Sequence, residues 1–61
     1  MFAKIDNGSV TVHNSNNGMF QRAIPVNNAK SAVVVNEDTI VTLDTGKVVV
    51  YDKNGIFKST Y

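Results

Sequence analysis

Gly46 to Phe57, GKVVVYDKNGIF, is the stretch that decides the fold, because Gly8 to Phe20, GSVTVHNSNNGMF, is an earlier version of it. Laid over each other, the two pair Gly8 with Gly46, Val10 with Val48 and Val12 with Val50. After one extra residue in the first copy's turn, Asn17-Gly18 meets Asn54-Gly55 and Phe20 meets Phe57. Upstream, Phe2-Ala3-Lys4-Ile5-Asp6 sits on Ile40-Val41-Thr42-Leu43-Asp44, for seven identities in all. A repeat of this kind marks a fold that uses one supersecondary unit more than once.

The unit is made of short strands and tight turns. In SVTVHN (9–14), Val10 and Val12 alternate with Thr11 and His13, the period of a strand with one buried face. Asp6-Asn7-Gly8 is a hairpin turn, since Asn-Gly accepts the positive φ values that a type I′ turn demands. Lys53-Asn54-Gly55 reads as a type I turn closed by a glycine bulge. Taken in order, the expected strands are 1–6, 9–14, 19–24, 31–35, 39–44, 47–52 and 56–61. The composition agrees: ten Val and eight Asn stand against one Leu and four Ala, a balance that favours strands and turns over helix. The expected architecture is an all-β, seven-stranded antiparallel meander. It forms a single domain over 1–61, with repeat 1 at 1–24, a connection at 25–30 and repeat 2, with an additional strand, at 31–61. Pro25 has no N–H for a ladder and ends the third strand, so PVNNAK is where the chain crosses between two sheets.

One difference between the copies bears on assembly. Thr11 and His13 are replaced by Val49 and Tyr51, so Val48-Val49-Val50-Tyr51 is apolar on both faces and asks for cover on both. A 61-residue chain without cysteine has a small core and no disulfide staple, which leaves association with further copies as the expected support. The residues expected at that oligomer interface are Val49, Tyr51 and Tyr61.

The segment Ser31 to Tyr61 resembles a blade of the NHL type, or of six-bladed β-propellers generally, in I-V-T-L-D (40–44), K-V-V-V-Y-D (47–52) and N-G-I-F (54–57). The resemblance implies one complete four-stranded blade, preceded by three strands of another. A propeller needs at least four blades. The resemblance therefore implies homo-oligomerisation into a propeller-like ring, with a small β-sandwich or barrel as the alternative.

Little in the chain points to catalysis. Six basic and five acidic residues are scattered singly, with no basic stripe to follow a phosphate backbone, so nucleic acid is not an expected partner. No apolar run approaches a membrane span, and the first residues lack an export-signal pattern, so no membrane partner and a cytoplasmic setting are expected. His13, the only imidazole, stands where the second copy has Tyr51, which favours a structural role at a strand surface. Asp6 and Asp44 precede tight turns, where Asp commonly bonds the turn's own amides. Glu37-Asp38 with Asp52 lacks the dense alternating acidic pattern of a calcium loop, so no metal or other cofactor is expected. The function expected is that of a non-enzymatic structural or interaction module that assembles with itself and presents loops to a protein partner, as would suit a phage or bacterial accessory protein. The rival is a small-ligand or glycan-binding protein with one site per repeat, in which Asn27, Asn28, Lys30, Asp6 and Asp44 supply hydrogen bonds from a common rim.

Overall fold

The alternating and Val-rich runs become strands throughout residues 1–61 in the computed structural model described here. They are β1 (Phe2–Asp6), β2 (Ser9–His13), β3 (Phe20–Ile24), β4 (Ala29–Val35), β5 (Asp38–Leu43), β6 (Val48–Tyr51) and β7 (Phe57–Thr60). All pairings are antiparallel between consecutive strands, in an N-terminal sheet β1-β2-β3 and a C-terminal sheet β4-β5-β6-β7. The chain crosses between the sheets after Ile24. β4 begins at Ala29, two residues ahead of the expected Ser31, because Ala29 pairs with Leu43 of β5 across an irregularity before Ser31; its amide donates to the Gly8 carbonyl at 2.9 Å.

The repeat is visible in the bonding as well as the sequence. In the second copy Asp52 N donates to Ile56 O (2.9 Å) and Gly55 N to Asp52 O (2.9 Å). In the first, Asn14 N donates to Met19 O (2.9 Å) and Gly18 N to Asn14 O (2.7 Å), each spanning one residue more. Both copies carry a ladder irregularity at the matching place, between Val12 and His13 and between Val50 and Tyr51. Both also set the ring after it edge-on to the matching phenylalanine. His13 and Phe20 have centroids 6.1 Å apart at 81°, and Tyr51 and Phe57 are 5.9 Å apart at 82°.

The first hairpins of the two copies differ in a way that sequence matching hides. Asn7 (φ 51) and Gly8 (φ 82) form a two-residue I′ turn, with Asp6 opposite Ser9. In the second copy Leu43 N bonds Lys47 O (2.8 Å) and Gly46 N bonds Leu43 O (3.0 Å), a three-residue loop. One more loop residue slides β6 by one place against β5, and a one-residue slip turns every side chain to the other face. Ala3 therefore faces Val12, whereas its counterpart Val41 faces Val49 and not Val50. Val49 and Tyr51 point to the core beside Val41, while Val48 and Val50 point away from it.

The second strands of the two copies bury opposite faces: Val10 and Val12 of β2 point inward, whereas their counterparts Val48 and Val50 of β6 point outward. Val10, Val12 and Ile24 of the N-terminal sheet join Val41, Val49 and Tyr51 of the C-terminal sheet in one core, lined further by Ala3, Ile5, Ala32, Val34 and Leu43. The sheets come closest where β1 and β2 lie against β4, and they do not close into a barrel. Thr39 is the polar exception, fully buried with its hydroxyl unpaired.

The β4–β5 turn carries backbone strain. Asn36 (φ 50) and Glu37 (φ 71) occupy the two left-handed positions of a tight turn, and Glu has neither the flexibility of Gly nor the tolerance of Asn there. Left-handed backbone costs an ordinary residue about 1–2 kcal/mol, of which a glycine's greater unfolded-state freedom takes back about 0.4–1 kcal/mol. Glu37→Gly is therefore expected to stabilise the fold by about 0.5–1 kcal/mol and to raise the melting temperature by several degrees in a thermal melt. A melting temperature that falls would place the turn's strain elsewhere.

Candidate functional site

The loops expected to share a rim do meet. Asp44 N donates to Asn28 O (2.8 Å), and Asn28 Nδ2 donates to Asp44 Oδ1 (3.1 Å). The Gly8 carbonyl takes the Ala29 amide alongside. Asn28 and Asp44 thus spend their hydrogen bonds on each other, tying the connection to the β5–β6 turn. Asn27, Lys30 and Asp6 are exposed, and Asn27's backbone packs against Gly8. No pocket opens on this rim or elsewhere, and no three His, Asp or Glu side chains lie close enough to hold a metal ion.

His13 has both ring nitrogens engaged. Nδ1 lies 3.1 Å from the Gly18 carbonyl oxygen and Nε2 lies 2.8 Å from Thr11 Oγ1. A carbonyl oxygen only accepts, so Nδ1 donates to it and Nε2 accepts the Thr11 hydroxyl. The imidazole thereby pins the 14–18 turn to β2. Phe2 stacks on its face at 5.4 Å and 16°, and Phe20 meets it edge-on. The row Phe2–His13–Phe20 crosses the outer face of the N-terminal sheet, and the next row is Lys4–Thr11–Ala23. This face is aromatic at one end and polar at its centre.

At the 52–56 turn, Asp52 Oδ1 accepts from Ile56 N (3.0 Å) and Asn54 N (2.9 Å). Those two amides, with smaller contributions from the Lys58 and Arg22 charges, hold its carboxyl below the ordinary value of 3.8. Lys58 reaches Asp38 at 2.8 Å across the sheet, and that bond raises the ammonium's pKa. Both acidic residues are thus occupied within the fold.

Val49 and Tyr51, which the sequence assigns to a contact with a neighbouring chain, are covered within their own chain at 8% exposure each. The slip of β6 turns the opposite face outward. Across it run two rows, Val33–Ile40–Val50–Ser59 and Ser31–Thr42–Val48, and the second continues to Tyr61, whose backbone pairs with Val48. Val33 is 53% exposed, Val35 49% and Tyr61 80%, and Ile40, Val48 and Val50 are half-buried. Tyr61, expected at an oligomer interface, is exposed; Val33 and Val35 could not be named from the sequence, because a Val-rich strand does not reveal which alternate residues point outward.

No family model matches the chain, and no curated protein or solved structure is significantly similar to it. No helix is long and apolar enough to cross a membrane.

Proposed function

We propose that the protein is a non-enzymatic structural or interaction module that associates with copies of itself and presents its loops to a protein partner. The observation that carries this reading is the open apolar face of the C-terminal sheet. Contiguous exposed apolar surface of more than a few hundred Å² is uncommon on proteins that stay apart, and it marks contact surfaces. The chain's own core holds only six buried apolar side chains, so covering a second face adds substantially to its stability. Three- and four-stranded units are what the blade resemblance leads one to expect. A ring, however, asks each unit to give one face forward and the opposite face back. Here the two sheets meet across one shared core, which supports the sandwich alternative.

The ligand-binding reading has less support, because Asn28 and Asp44 are already paired and no aromatic residue lies in the rim loops. Light scattering across a concentration series tests the proposal. The expected result is a mass that climbs from the 6.6 kDa of one chain with rising concentration. A constant single-chain mass into the millimolar range would sink it.

A further inference from the structure

We infer that the self-association is two-fold and like-on-like: the outer face of the C-terminal sheet docks on the same face of a second copy, and the aromatic face of the N-terminal sheet stays free on both ends of the dimer. This inference rests on the self-association proposed above and adds which surfaces meet.

The chemistry of the two open faces decides the pairing. The C-terminal face has no unpaired charge at its centre, where the row Val33–Ile40–Val50 lies, and its one acidic residue, Asp38, is already neutralised by Lys58. The N-terminal face carries Lys4 opposite Thr11 at its centre and Asp6 beyond. Setting that face against the valine rows would bury Lys4 and the Thr11–His13 pair where nothing offers them a partner. Burying unpaired charges and polar groups is strongly unfavourable. The N-terminal face does expose Phe2 and Phe20 at one end, but Lys4 lies at its centre, so of the two only the C-terminal face can meet a second valine face without burying a charge. A two-fold contact is isologous and closes at two copies, whereas a front-to-back contact would continue into a ring or filament.

The size of the face sets the strength. Val33, Val35 and Tyr61 with the half-covered Ile40, Val48 and Val50 offer on the order of 500 Å² a side, or about 1,000 Å² in a pair, the lower limit for a specific interface. The dimer should therefore depend on concentration and release to single chains on dilution.

Two variants separate the arrangements. Val33→Lys with Val35→Lys places charge on the docking face at exposed positions of an edge strand. Thr11→Asp places charge on the opposite face, beside Lys4. Circular dichroism melts first establish that each is folded; should the lysine pair fail to fold, Val33→Ser alone serves in its place. At a concentration where the parent doubles its mass, the docking-face variant is expected to keep the single-chain mass and Thr11→Asp to double like the parent. An equimolar mixture should then hold only Thr11→Asp dimers and docking-face monomers. The inference is overturned if both variants stay single and pair with each other on mixing, the mark of front-to-back contact, though self-association would stand. It is also overturned if the docking-face variant still doubles. A parent that never doubles overturns both readings and leaves the face to a different protein.

Discussion

Gly8→Val is expected to leave no cooperative melting transition. Two separate obstacles meet at this position. Gly8 has φ +82, so any side chain there pays the left-handed strain of about 1–2 kcal/mol. A Cβ would also overlap the carbonyl oxygen of Asn27 and lie 2.9 Å from its carbonyl carbon and 3.2 Å from Asn28 Cα, all of them backbone atoms. Relief would require the 25–28 connection to move away from β1. That motion breaks the Gly8–Ala29 bond and the Asn28–Asp44 pair, which hold the sheets together at this end. A domain of this size has a net stability of only about 3–9 kcal/mol. Gly46→Val is the internal control. Its φ is +91, but a Cβ there meets nothing within 4 Å, so only the strain of about 1–2 kcal/mol applies. Equal losses in the two variants, followed by thermal or urea unfolding, would refute the close approach at Gly8.

The contrast between these glycines also marks how far the sequence could be read. Alternation at Val10 and Val12, Pro25 and the Asn-Gly pairs located every strand and the crossing between sheets, because those signals act over a few residues. The contact of Gly8 with Asn27 joins positions far apart in the chain, and no local pattern carries it. The repeat itself misled in one respect. Matching Val10 to Val48 and Val12 to Val50 is right for identity and wrong for orientation, since the three-residue loop at 44–46 turns β6 over. A count of matched residues cannot detect this; the loop's hydrogen bonds can. For the same reason the interface assignment fell on Val49 and Tyr51 when the open face is that of Val48 and Val50.

Tyr51→Asp is expected to unfold the chain, while Thr11→Asp, on the corresponding strand of the first copy, is expected to be mild. Tyr51 is 8% exposed, packs in the common core and sets its ring edge-on to Phe57. Removing a buried aromatic side chain costs about 3–5 kcal/mol. The carboxylate put in its place has no cation among the core residues and must either stay buried unpaired or take up a proton. Together these approach or exceed the total stability. Thr11 is half-buried on the outer face with Lys4 opposite it, so Asp there loses the His13 bond, worth about 0.5–1.5 kcal/mol, and gains a cross-strand ion pair. Urea midpoints measure both. Should Thr11→Asp prove the more damaging, the assignment of core and outer faces would have to be reversed.

The turn at 44–46 has a genetic reading. If the two hairpin units descend from one ancestral segment by tandem duplication, no codon was inserted at this turn, since Asp6-Asn7-Gly8-Ser9 and Asp44-Thr45-Gly46-Lys47 are equal in length; a change of turn type alone inverted a whole strand in the daughter copy. The positions turned inward differ in kind as well, Thr11 and His13 of the first copy standing where the second has the buried Val49 and Tyr51. Selection then saw a strand whose hidden and displayed positions had been exchanged at once. Val at positions 48, 49 and 50 alike gives a strand that can bury either of its faces. A strand written this way tolerates a slip of register, and it keeps an apolar outer surface as the by-product.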